Sequence, residues 1–76
     1  AGWTAERQRA FVLQLAATGS VTQAAAYVGM SASSAYRLRG RPEAADFEQA
    51  WREAIWRAGS YLLSMALDRA INGTRR

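Results

Sequence analysis

Apolar positions along this chain recur at helical spacing, not at the alternation of strands. Phe11, Val12, Leu15 and Ala16 fall at i, i+1, i+4 and i+5, which is one face of a helix. Thr4 precedes that run as an N-cap, with Glu6 in the first turn, where the helix dipole favours an anion. Trp3, just ahead of the cap, suits a hydrophobic staple, and Gly19 suits the left-handed exit. The pattern predicts a first helix over 5–18. Next, Ser20-Val-Thr-Gln23 has the form of a capping box, in which the serine caps and the glutamine reaches back. Val21, Ala24, Ala25 and Val28 then make one short amphipathic face, which Gly29 ends after two turns. Ser31 caps a third helix with Ala35 and Leu38 inward, and Gly40 with Pro42 stops it near residue 39.

Pro42 suits the first turn of a fourth helix, with Glu43 and Asp46 near its positive end. Apart from Gly59-Ser60, no strong breaker follows until Asn72-Gly73. A helix of about 28 residues would be about 42 Å long. That is too long for a compact globule of 76 residues, so it is expected to bend near Gly59 or to project. The fold class is all-α: a helix-turn-helix of three short helices followed by one long C-terminal helix. The expected division is 1–3 as an N-terminal arm or tag remnant, 4–41 as the helix-turn-helix core, 42–73 as the long packing and oligomerisation helix, and 74–76 as a tail.

Two stripes run along the fourth helix. Phe47, Ala50, Trp51, Ala54, Ala58, Tyr61, Leu62 and Met65 form one, expected to pack on the first three helices. Trp56, Leu63 and Leu67 lie on the opposite face. A helix apolar on two sides needs two partners. The second is expected to be another copy of the chain or a further part of the full-length protein, with a partner protein bound through helix 4 as a separate option.

Charge adds a direction to this picture. All ten basic residues are Arg. Residues 1–41 hold five of them (7, 9, 37, 39 and 41) against Glu6 alone, whereas residues 42–76 hold five against five acids. The whole +4 excess therefore sits in the first 41 residues, as expected of a half that binds a polyanion. Helices of two turns are unstable alone. Alanines at 24, 25 and 35 let their axes approach, and Gly29 permits the tight turn of a helix-turn-helix. With Ala35 and Leu38 inward, Ser33, Tyr36, Arg37 and Gly40 face outward, flanked by Ser34 and Arg41. The Arg37 fork matches guanine O6 and N7, and Tyr36 suits a phosphate or a thymine methyl. Thr22, Gln23 and the opening N–H groups of helix 2 suit a backbone phosphate. Arg39 and Arg41 are expected to add backbone charge, with Glu43 or Asp46 as competing partners for Arg39.

Residues 18–41, TGSVTQAAAYVGMSASSAYRLRGR, followed by FEQAWREA, resemble the homeodomain-like DNA-binding domain of phage terminase small subunits. They also resemble phage-derived bacterial transcription regulators that carry the same domain. The resemblance covers about residues 4–58, and Ala32 departs from the polar or basic residue common at that position. It implies that Ser31, Ser33, Tyr36 and Arg37 lie on a recognition helix. The expected function is sequence-specific double-stranded DNA binding, as a transcription regulator of phage-like genes. The alternatives are the DNA-recognition domain of a packaging terminase and a helical protein-interaction module. A regulator is expected as a dimer, and a terminase-like protein as a ring.

Other chemistries lose support. With neither His nor Cys, the usual transition-metal sites lack ligands, and no metal or cofactor is expected. The serines have no His or Lys base, so no catalytic residue and no enzyme activity is expected. No apolar run approaches a membrane span, and no signal peptide is visible. The expected location is cytoplasmic, on the nucleoid.

Overall fold

The computed structural model describes residues 2–74, with backbone alone at 61, 62, 64–66 and 69–74. The chain forms α1 (Ala5–Thr18), α2 (Val21–Tyr27), α3 (Ala32–Arg39), a 3-10 turn (Pro42–Ala44) and α4 (Ala45–Thr74). Among the described residues there is no strand. The all-α class and the bounds of α1, α2 and α3 agree with the sequence pattern, because each of their ends coincides with a capping residue or a glycine.

The caps explain the breaks. Thr4 Oγ1 accepts from the Arg7 N–H at 3.1 Å and opens α1. Gly19, at φ +69°, closes it, its N–H donating to the Leu15 carbonyl at 2.7 Å. Ser20 Oγ accepts from the Gln23 N–H at 3.1 Å, but the other half of the capping box is not made. The Ser20 N–H donates instead to Thr18 Oγ1 at 3.1 Å, and Thr18 in turn donates to the Gln14 carbonyl. After α2, Gly29 N–H donates to Ala26 O and Met30 N–H to Ala25 O, the paired bonds of a Schellman turn. This requires the left-handed φ of +75° at Gly29. Ser31 Oγ then accepts from the Ser34 N–H and opens α3.

Two boundaries differ from expectation. Pro42 opens a separate 3-10 turn, in which the Ala44 N–H donates to the Arg41 carbonyl, and α4 begins only at Ala45. At the other end α4 runs through Asn72-Gly73 to Thr74 as one uninterrupted element. It does not break at Gly59, and the molecule measures 55 × 22 × 18 Å. At 1.5 Å per residue a helix of this length spans about 45 Å, so α4 projects well past the globule.

The core lies where α1, α2 and α3 meet the first half of α4. Phe11, Leu15, Ala24, Ala25, Ala35, Ala44, Phe47, Trp51 and Ala54 are buried together, and Ala58 is also buried. The inner stripe of α4 thus packs as expected as far as Ala58. The side chains of Tyr61, Leu62 and Met65 lie outside the described residues. Trp3 is no part of a free arm. Its ring meets Phe11 edge-on at 5.4 Å and lies 5.8 Å from Phe47, and its carbonyl accepts from Gln8 Nε2. The residue expected only to staple the first turn is a member of the aromatic core.

A β-carbon at Gly29 would meet nothing within 4 Å, so substitution there tests backbone conformation alone. Gly29→Ala is expected to cost about 1–2 kcal/mol in urea unfolding, the usual penalty of the left-handed region. A synthetic chain with D-alanine at 29 should recover that loss.

Candidate nucleic-acid interface

With Ala35 fully buried, the rest of α3 is placed by helical rotation. At about 100° per residue, Ser33 and Arg37 form the outward ridge. Both are exposed. Ser34, Leu38 and Arg41 lie on one flank, beside the N-terminal segment. Tyr36 and Arg39 lie on the other, against α4.

The Tyr36 flank is built from stacked rings. Tyr36 lies 5.2 Å from Trp51 between centroids, and Trp51 is only 3% exposed. Trp51 is held in turn by Phe11 at 5.1 Å and Phe47 at 5.8 Å. Arg39 lays its guanidinium over Trp51 at 4.8 Å and over Tyr36 at 5.2 Å. A cation–π contact of this kind contributes roughly 0.5–2 kcal/mol, and Arg39 remains partly exposed. Tyr36 remains 48% exposed, so one side of its ring packs and the other meets solvent.

The expected site residues therefore fall into different situations. Ser33, Arg37 and Arg41 are exposed. Ser31 is exposed, but its oxygen caps α3. Ser34 is half-buried and occupied: its hydroxyl accepts from Trp3 Nε1 at 3.2 Å and donates to the Ser31 carbonyl at 2.9 Å. It holds α3 in place and does not reach outward. Thr22 and Gln23 are exposed in the first turn of α2, away from the outward ridge of α3 in sequence but joined to it through the short turn at Gly29. On α4, Trp56, Leu63 and Leu67 are 70%, 61% and 54% exposed.

What sequence reading missed is the support of α3. Arg7, counted only as charge, places Nη1 3.0 Å from the Gly2 carbonyl and 3.7 Å from Met30 Sδ. It joins the chain's start to the turn between α2 and α3. Nothing in the local pattern around Arg7 marks the contact with Met30, because that partner is distant in sequence.

This chain matches no protein-family description, no curated protein and no solved structure in the comparisons made. The arrangement itself supplies the functional argument. Arg37 stands exposed on a short helix that is held on one flank by the Tyr36–Trp51 ring contact and on the other by the Trp3–Ser34 hydrogen bond. Among the described residues, no helix is long and apolar enough to cross a membrane.

Tyr36 and Arg37 are neighbours in sequence with opposite structural weight. Tyr36→Ala is expected to lower stability by about 1–2 kcal/mol through lost stacking. Arg37→Ala should stay within about 0.5 kcal/mol of the parent, as exposed substitutions do. Thermal and urea unfolding of the two variants side by side checks this.

Proposed function

We propose that this chain binds double-stranded DNA sequence-specifically, with α3 in the major groove, in the setting of transcription regulation. The observation that carries this reading is the outward ridge of α3, where Arg37 stands exposed beside the small Ser33. A small residue permits close approach to base edges, and an arginine fork reads guanine O6 and N7. The net charge of +4, all of it in the first 41 residues, suits a polyanion. Arg39 and Arg41 supply backbone charge on the two flanks, and Thr22 and Gln23 are placed to meet a phosphate at the start of α2.

The reading includes self-association through α4. Trp56, Ser60, Leu63 and Leu67 alternate by four and three residues, the seam of a two-stranded coiled coil. The seam lies largely on the projecting part of α4 and is exposed at Trp56, Leu63 and Leu67. A second copy of α4 offers the same spacing and so covers the stripe residue for residue. Pairing of this kind would carry two α3 helices to related half-sites.

Selection from a random duplex pool, followed by binding across a salt series, tests the DNA reading. Affinity should fall steeply from low to moderate salt, and Arg37→Ala should cost about 1–3 kcal/mol on the selected site. No salt-dependent affinity would favour a protein-interaction module instead. Mapping of bound DNA in the native host separates promoters from a packaging site. For self-association, sedimentation should show a concentration-dependent dimer that Leu63→Glu shifts to monomer without loss of helicity. A parent chain that stays monomeric at high micromolar concentration would remove this part of the reading, and a ring would point to packaging.

A further inference from the structure

Residues 2–3 are held against the first turn of α1 by several polar contacts, and one hydrogen bond carries them to α3. The Gly2 carbonyl accepts from the Thr4 N–H at 3.0 Å and from Arg7 Nη1 at 3.0 Å. The Trp3 carbonyl accepts from Gln8 Nε2 at 3.2 Å, while its ring is fixed among Phe11 and Phe47. From that anchored position Trp3 Nε1 donates to Ser34 Oγ at 3.2 Å. The result is a strut between residues 2–3 and the flank of α3.

Beside the strut lies a hollow of 510 Å³ lined by Gly2, Trp3, Ser34, Arg37, Leu38 and Arg41. Two arginines, Arg37 and Arg41, are among its lining residues, and no acidic residue is. Arg41 is held on both sides of its backbone, its N–H donating to Leu38 O and its carbonyl accepting from the Ala44 N–H, each at 3.0 Å. Two like charges in one concavity repel each other unless an anion comes between them. A phosphate oxygen pair suits the Arg41 fork, while the charge of Arg37 at the rim favours an anion there and leaves the Arg37 fork for a base.

Resting on the duplex-binding reading, the geometry points to this hollow as the seat of one backbone phosphodiester, with Arg41 as its main ligand. Arg37 stands where the hollow meets the outward ridge of α3, which makes the seat continuous with the base-reading surface. That continuity favours a nucleic-acid phosphate over the carboxylates of an acidic peptide. Trp3 and Ser34 act as positioning residues that set the width of the seat. The N-terminal segment thereby becomes part of the DNA-binding surface.

The test is a titration of the 15N-labelled chain, following the Trp3 indole N–H and the Arg41 Nε–H. The additions are a selected duplex, a random duplex, inorganic phosphate and oligo-glutamate. Both signals should move with either duplex, and with phosphate only at far higher concentration. Arg41→Ala should weaken binding to all duplexes alike, roughly tenfold or more at low salt, and lower the log–log salt slope by about 1. Trp3→Phe keeps a ring but loses the donor, and should weaken all duplexes by about two- to tenfold. If Trp3→Phe fails to fold, Arg41→Ala and the parent titration still decide. Duplex binding with both signals still and an unchanged slope in Arg41→Ala would overturn the seat while leaving the DNA reading intact. Movement with phosphate but with neither duplex, or with oligo-glutamate at lower concentration than duplex, would also overturn it. A parent chain with no salt-dependent duplex affinity would remove the DNA reading itself.

Discussion

The indole of Trp51 is the surface against which α3 is set. Phe11 and Phe47 hold it from inside, and Tyr36 and Arg39 lie against it from α3. A helix of two turns has too few internal hydrogen bonds to hold its own conformation. Its rotation is therefore fixed by what it touches on each flank: Trp51 on one, and the Trp3–Ser34 bond on the other. Loss of either contact would leave Arg37 on an exposed helix whose orientation is poorly determined.

Small residues make that arrangement possible. Ala24, Ala25 and Ala35 are buried, so α2 and α3 approach closely with little side-chain volume between them. The Schellman turn at Gly29 reverses the chain within two residues and keeps the backbone groups paired. The large buried rings, Phe11, Phe47 and Trp51, are concentrated elsewhere, between α1 and α4. Packing is thus divided: alanines set distance in the helix-turn-helix, and aromatics anchor it to the rest.

The arginines of residues 37–41 show how tertiary structure differentiates a uniform run. Arg37 points outward, Arg39 stacks on Trp51 and Tyr36, and Arg41 borders the hollow beside Trp3. In sequence they are equivalent charges at alternate positions. In the fold one is exposed on the outward ridge, one lies against two rings, and one lines a concave site. The same differentiation separates Ser33, which is exposed, from Ser34, whose hydroxyl is committed within the protein.

Helix positions were legible in the sequence because each stop and start is a local matter. Thr4, Ser20 and Ser31 cap their own helices, and Gly19 and Gly29 take φ values that other residues resist. The 3-10 turn at Pro42 was less legible, since proline fits the opening of either kind of helix. The candidate site was legible only in outline. Helical rotation alone places Ser33 and Arg37 outward, but it carries no information about Trp3 reaching Ser34 or Arg7 reaching Met30. Those bonds depend on where separate elements come to rest. The sequence by itself determined the helices, their order and the charged half, because capping and periodicity act over a few residues. Only the tertiary structure decided which polar side chains remain available for a ligand, because burial and pairing depend on neighbours distant along the chain.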